Sequence, residues 1–355
     1  MRAVVFQGVG EPMTVEAVDR PDPGPDGVVV QTEACGVCRS DWHTWRGDWE
    51  WLGVQTQKGQ ILGHEPAGRV VEVGEDVTQF ETGDLVTNPF NLSDGTCRHC
   101  RAGRSNICES AVPMGLVPFQ QGAFAEYYPV PNADHNLVAL PEGVDPVAVA
   151  GLGCRFATAF HGIVHRVDLT AGDWVAVHGC GGVGLSAIHV ADALGGNVVA
   201  VDLNEENLEK ARDLGADRTV QVPEVDDVAA AVRSETPDGR GVDIAVDALG
   251  IAETTRNSLA SLDKGGQHLQ IGLTTAEEGG TVSIPVDQMV ADEVDFYGSY
   301  GMPTHEYEEI FQMMAEDKID PGAVVTDRIA LDDVPETIEK LDEFSTVGIP
   351  VVTDF

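Results

Sequence analysis

Residues 174–184 read W-V-A-V-H-G-C-G-G-V-G, an apolar run that stops at a glycine-rich turn. Gly179, Gly181 and Gly184 fit G-x-G-x-x-G, with Gly182 and Val183 in the last gap. Between a strand and a helix, such glycines permit a tight turn, close approach of a pyrophosphate and close packing of helix on strand. The helix start then offers free N–H groups and a favourable dipole to the phosphates. The next apolar run, N-V-V-A-V at 197–201, ends in Asp202. A carboxylate there binds the adenosine ribose diol and repels a 2′-phosphate. Leu203, Asn204 and Glu205 follow without a cation, which favours NAD over NADP.

The rhythm on either side extends this reading. From about residue 155, strands expected at 174–178, 197–201, 243–247 and 268–272 alternate with helices expected at 183–195 and 204–214. Such alternation predicts a parallel, doubly wound sheet. Residues 1–150 differ, because short valine-rich runs (28–30, 70–73, 85–86, 127–130) are separated by Gly, Pro and Asp turns, a β-rich pattern. A helical segment at 305–317 leads to short strands that are expected to return to the first domain. The expected division is 1–155 with 298–355, and 156–297.

Composition narrows the class. The chain has 355 residues, 43% of them hydrophobic, which suits two domains with large cores. No run of eighteen apolar residues argues for a membrane span, and the N-terminus lacks a signal-peptide pattern. Seven cysteines, an odd count with several in metal-like spacings, point to a reducing cytoplasm and metal ligation. The formal net charge is −38, spread along the chain. It argues against nucleic acid as a partner. Self-repulsion of this size destabilises a compact state unless salt screens it, so a halophilic source is expected.

Two constellations suit metals. Cys38 lies in C-G-V-C-R-S-D-W-H, His64 and Glu65 in G-H-E-P-A-G, and Cys154 in G-L-G-C. Two thiolates and one imidazole suit tetrahedral zinc, and three strong ligands leave the fourth position open, as in a catalytic rather than a structural site. Asp41 is close enough to accept the free ring N–H of the ligand histidine. Ser40 can take a proton from an alcohol, and His43, with a pKa near neutrality, can pass it to solvent. Arg39 is a fixed cation suited to a pyrophosphate. Tryptophans at 42, 45, 49 and 51, with Leu52, suggest an apolar substrate wall. The second constellation is Asp94, Cys97, Cys100 and Cys108, spaced x₂, x₂, x₇. It is either an Asp-Cys₃ structural zinc or a lobe that has lost its metal, and His99 competes as a ligand.

These motifs, in this order, resemble the zinc-dependent alcohol dehydrogenases of the medium-chain dehydrogenase/reductase superfamily. The resemblance covers nearly the whole chain. It implies a GroES-like catalytic domain, split in sequence around a Rossmann coenzyme domain. It assigns Cys38, His64 and Cys154 to the catalytic zinc and Glu65 to a nearby acid able to approach the metal. Asp41 matches the partner of the ligand histidine, Ser40 and His43 the proton relay, and Arg39 a pyrophosphate contact. Thr158 and Val183 match residues packing on the nicotinamide, and Phe90 and Leu273 match positions lining the substrate pocket, where Trp49 from the tryptophan cluster is expected to join them. The family's structural zinc uses four cysteines, and this chain has Asp94 at the first of them. The implied activity is reversible, NAD-linked oxidation of a small alcohol to an aldehyde or ketone by a cytoplasmic homotetramer or dimer. Polyol, sugar or amino-alcohol oxidation on the same scaffold is the alternative, and a zinc-free, non-catalytic relative is the alternative of another class.

Overall fold

A computed structural model describes residues 1–343 and 346–355. The chain divides into two compact units. One comprises residues 1–157, 301–316 and 320–355, and the other residues 158–300 and 317–319. The boundaries expected at 155 and 298 thus fall at 157 and 301, and three residues near 318 join the second unit.

The first unit is built on a seven-stranded sheet, and its central member is Val28–Gly36. That strand runs well past the valine triplet that signals it. The reason is tertiary: its second half, Q-T-E-A-C-G, has little alternating apolar pattern. It is held by antiparallel pairing to Glu65–Val73 on one side and to Tyr127–Val130 and Ile349–Asp354 on the other. The pairing with Ile349–Asp354 ties the C-terminus into the first unit. Val28, Val30, Phe6, Leu62, Phe124 and Tyr128 are buried in its core. Trp42 and Trp45 belong to the same core, and Trp45 donates its indole N–H to the Glu11 carbonyl at 2.6 Å. The expected tryptophan wall is corrected accordingly: two of its members pack inward, and Trp51 and Leu52 are exposed.

The second unit holds six parallel strands in the order Arg218–Gln221, Asn197–Asp202, Trp174–His178, Val242–Asp247, Leu262–Gln270, Asp295–Gly298. This is the doubly wound order that reverses direction beside the first strand, where ligands bind at the strand C-termini. The strand expected at 268–272 begins earlier, at Leu262, and ends at Gln270. Residues K-G-G are carried through a register shift against Val242 and Ile244.

Among the described residues one helical run, Pro146–Arg166, is long and apolar enough to cross a membrane by length and composition, although polar residues such as Arg155 interrupt its apolar sequence. Of its most apolar 18-residue window, 78% is buried within the protein, as in a core helix. The run breaks from helical geometry at Gly153 (φ 6°, ψ −125°), beside Cys154.

Candidate active site

The catalytic-domain site is assembled from three segments. Cys38 caps the helix Arg39–Arg46, His64 and Glu65 stand where the strand Glu65–Val73 begins, and Cys154 follows the break at Gly153. One ligand atom from each of Cys38, His64, Glu65 and Cys154 lies within 4.8 Å of the others. Asp41 joins two of the segments. Its Oδ2 accepts the Cys38 backbone N–H at 3.0 Å, and its Oδ1 accepts the Gly63 N–H at 3.0 Å and pairs with His64 Nδ1 at 2.9 Å. Asp41 and His64 are both fully buried. Burial alone would push the His64 pKa down, but the negative charges of Asp41 and Cys38 outweigh it and hold it well above the ordinary value.

The other ring nitrogen provides the test of a metal. Among the described residues, His64 Nε2 is buried without a hydrogen-bond partner. A buried polar nitrogen without a partner costs free energy. Here it faces a set containing two thiols whose donor atoms are near enough to share one ion. Two sulfurs and a nitrogen fixed by a carboxylate on its far side are the donor set and the outer support of a zinc centre.

Glu65 is differently placed. It is fully buried, and Oε1 accepts the N–H groups of Cys154 (2.9 Å) and Arg155 (3.0 Å) and the Arg155 Nε–H (3.1 Å). Its other oxygen pairs with Arg155 Nη2. Burial raises the Glu65 pKa, and Arg155 opposes the rise. Arg155 was missed at the sequence level. It stands next to a ligand cysteine, but only folding reveals its partner, ninety positions earlier.

Ser40 and His43 lie on the Arg39–Arg46 helix with Asp41. His43 pairs through Nδ1 with Asp48 Oδ2 at 2.8 Å and stacks on Trp49, with ring centroids 4.8 Å apart. Burial lowers the His43 pKa, and the bond to Asp48 offsets part of this. Asp48 was also missed. An acid just past Gly47, the left-handed residue that ends the helix, is the signal that could have found it. Arg39 lies over the Trp42 ring at 4.7 Å. Phe90 is buried with its ring edge-on to His64, 6.1 Å between centroids.

Asp94, Cys97, Cys100 and Cys108 likewise bring their donor atoms within 4.8 Å of one another. Asp94 Oδ1 accepts the N–H groups of Thr96 (2.7 Å) and Cys97 (3.0 Å), which hold its pKa far below the usual carboxylate range. The Cys97 thiol is lowered to about 7, chiefly by the Cys100 N–H, and burial pushes Cys100 up to about 12. His99 is not in this group. A carboxylate already ionised beside an acidified thiol is a donor set that zinc accepts.

In the coenzyme unit the three glycines act for three different reasons. Gly179 has φ +91°, which glycine adopts without strain. Apart from its chain neighbours, no atom of the described residues lies within 4 Å of the place a Gly181 side chain would occupy, so the backbone there is open to a ligand. A Cβ on Gly184 would overlap the Gly179 carbonyl oxygen, so helix and turn pack only with glycine. The helix Gly182–Ala193, carrying Val183 in its first turn, starts at this cradle. Asp202 Oδ2 accepts the Cys180 N–H of the turn at 2.6 Å, while Oδ1 accepts Asn204 N–H (2.8 Å) and Asn207 Nδ2–H (3.1 Å). An open glycine turn, a helix N-terminus and a fixed carboxylate fit a dinucleotide. Thr158 is buried and its carbonyl accepts the Ser299 hydroxyl at 2.9 Å, whereas Leu273 is exposed.

Comparisons with known proteins agree with this geometry. Residues 24–142 match the family described as "Alcohol dehydrogenase GroES-like domain", and residues 182–316 match "Zinc-binding dehydrogenase". An alcohol dehydrogenase of Geobacillus stearothermophilus is 31% identical over 345 residues, 97% of this chain and 96% of the relative. An NAD-dependent alcohol dehydrogenase of Sulfurisphaera tokodaii is 31% identical over 359 residues, 99% of each chain. Among solved structures, an alcohol dehydrogenase from Thermus sp. ATN1 superposes with a TM-score of 0.89 at 30% identity, covering 100% of both chains. With a split β-rich zinc unit around a doubly wound coenzyme unit, and relatives matched end to end, this chain belongs to the zinc-type alcohol dehydrogenases of the medium-chain dehydrogenase/reductase superfamily.

Proposed function

We propose that the protein oxidises primary or secondary alcohols to aldehydes or ketones, reversibly, with NAD as the hydride acceptor. The observation that carries this reading is the buried, unpartnered His64 Nε2 facing Cys38 and Cys154, with its far nitrogen held by Asp41. When bound, the zinc supplies Lewis acidity toward the alcohol oxygen and the nicotinamide supplies the hydride acceptor. Cys38, His64 and Cys154 hold the metal, and Asp41 fixes the ring that binds it. Ser40 takes the proton of the alcohol hydroxyl, and His43 carries it toward solvent. Asp48 holds the His43 Nδ1 side, leaving Nε2 to exchange that proton. In the second unit, the turn Gly179–Gly184 cradles the pyrophosphate and Asp202 takes the ribose diol. Phe90 and Trp49 give the catalytic unit aromatic surface beside the relay and the ligand histidine, which suits an apolar alcohol better than a polyol.

Zinc analysis of the purified protein, with a panel of ethanol, butanol, benzyl alcohol, sorbitol, glucose and threonine, tests the reading. Zinc-dependent NADH formation from the simple alcohols is expected. A protein without zinc, or one active only on the polyhydroxy or amino substrates, would overturn it.

Three further properties complete the proposal. The net charge of −38 supports a halophilic, archaeal source and a cytoplasm rich in salt. The lobe with Asp94, Cys97, Cys100 and Cys108 holds a second, structural zinc. Self-association into a dimer or tetramer uses the sheet edge Asp295–Gly298, with its exposed Phe296, and the exposed apolar neighbours Val286 and Val290. Sedimentation in concentrated KCl checks this last point, and a monomer there would exclude it.

A further inference from the structure

Glu65 lies among the metal-ligating atoms, yet every feature around it directs it elsewhere. It accepts hydrogen bonds from two backbone N–H groups and from two nitrogens of Arg155. Arg155 is itself buried, and its remaining Nη1 donates to the Val37 carbonyl at 2.9 Å. The space for this pair is built in. A Cβ on Gly153 would collide with the Glu65 side chain, and one on Gly36 would strike both Glu65 and Arg155. The break at Gly153 also accompanies the turning of the Cys154 and Arg155 N–H groups onto Glu65 Oε1.

Charge bookkeeping gives this arrangement a purpose. Two thiolates neutralise a dication and Arg155 neutralises Glu65, so Glu65 needs no charge from the metal, while the other buried carboxylate, Asp41, is held at the far nitrogen of the His64 ring. A guanidinium fork engages both carboxylate oxygens at once, which a point charge cannot do. A buried carboxylate deprived of that fork carries a large penalty and turns to the nearest other cation. Zinc accepts such an oxygen readily.

We infer that Arg155 is a positioning residue that clasps Glu65 out of the zinc ligand set and so keeps the fourth coordination position open for the alcohol. This rests on the zinc reading proposed above and adds to it what decides three protein ligands rather than four.

The test uses the full-length protein with Co(II) in place of zinc, in high salt, and reads the visible absorption bands that report cobalt coordination. Bands removed by Cys38→Ser identify this site, and bands from the second cysteine cluster cancel in difference spectra. Arg155→Gln is expected to shift and weaken the bands as the Glu65 oxygen joins the metal, with loss of alcohol turnover. Arg155→Gln with Glu65→Gln is expected to return the wild-type spectrum. A spectrum of Arg155→Gln that superposes on the wild type, or a shift that survives in the double variant, overturns the inference. If Arg155→Gln does not fold, Arg155→Lys replaces it: the ammonium keeps the charge but not the fork, so a smaller shift in the same direction is expected, and no shift overturns the inference. Failure of the zinc reading looks different, because the wild-type protein would then show no cobalt band that Cys38→Ser removes.

Discussion

Asp41 and His64 come from different segments and meet through a 2.9 Å bond between Oδ1 and Nδ1, both side chains fully buried. The same carboxylate holds the backbone of Cys38 and Gly63. One side chain therefore orients the ring of one proposed zinc ligand and holds the backbone of another. Replacing Asp41 by Asn should weaken zinc binding by about 10–100-fold. Competition with a chromophoric chelator measures it, and unchanged affinity would show that Asp41 serves the fold alone.

The ligands themselves should be indispensable to activity without being needed by the coenzyme unit. Cys38→Ser and His64→Ala should each abolish alcohol oxidation while NADH binding, followed by fluorescence, stays near that of the wild type. Wild-type turnover in either variant would contradict the assignment.

Asp202 fixes the glycine turn through the Cys180 N–H, and in the proposed reading its carboxylate takes the ribose diol. A hydrogen bond to a charged group contributes about 1.5–3 kcal/mol. Asp202→Ala should accordingly raise KM for NAD by roughly 10–100-fold, with kcat little changed, and narrow the preference over NADP. Steady-state kinetics with both coenzymes decides this; an unaltered preference would remove Asp202 from the ribose site.

Acid should destabilise the coenzyme unit through His178. Burial lowers its pKa from the usual 6.5 to about 4, with neighbouring Asp247 opposing and His268 adding to the drop. The unfolded chain then binds the extra proton first. Stability from this group is fully present above about pH 6.5 and is lost as pH falls toward 4. At 1.36 kcal/mol per pKa unit the loss is about 3 kcal/mol. His178→Asn should flatten the pH dependence of thermal melting across that window. An equally steep profile in the variant would place the acid sensitivity elsewhere.

The acidic surface predicts a strong salt dependence. Raising KCl from about 0.1 M to about 3 M shrinks the screening length from about 10 Å to below 3 Å, and the melting temperature should climb steeply with it. Equal melting in both would dismiss the halophilic proposal.

Several parts of this protein were legible before folding because their physics is local. The turn at 179–184 needs glycine for backbone reasons that hold wherever such a turn meets a pyrophosphate. The Cys38, His64 and Cys154 stretches carry residue types that few roles other than metal binding would place together. The apolar strands Trp174–His178 and Asn197–Asp202 announce themselves by composition. Trp42 and Trp45 were misread as a substrate wall because an aromatic residue has the same sequence signature in a core as in a cleft. Only the side on which the helix Arg39–Arg46 packs separates the two.

From its sequence alone this chain had determined its order of strands and helices, its glycine cradle and its set of metal-seeking side chains, since each depends on residue type and short-range spacing. The tertiary structure decided which acid holds which base: Asp41 on His64, Asp48 on His43, Arg155 on Glu65. Of these, Arg155 and Glu65 stand ninety positions apart and meet through the strand Glu65–Val73 and the helix break at Gly153. Partner choice between buried charges is settled by desolvation and hydrogen-bond geometry, and neither exists until the chain has closed around them.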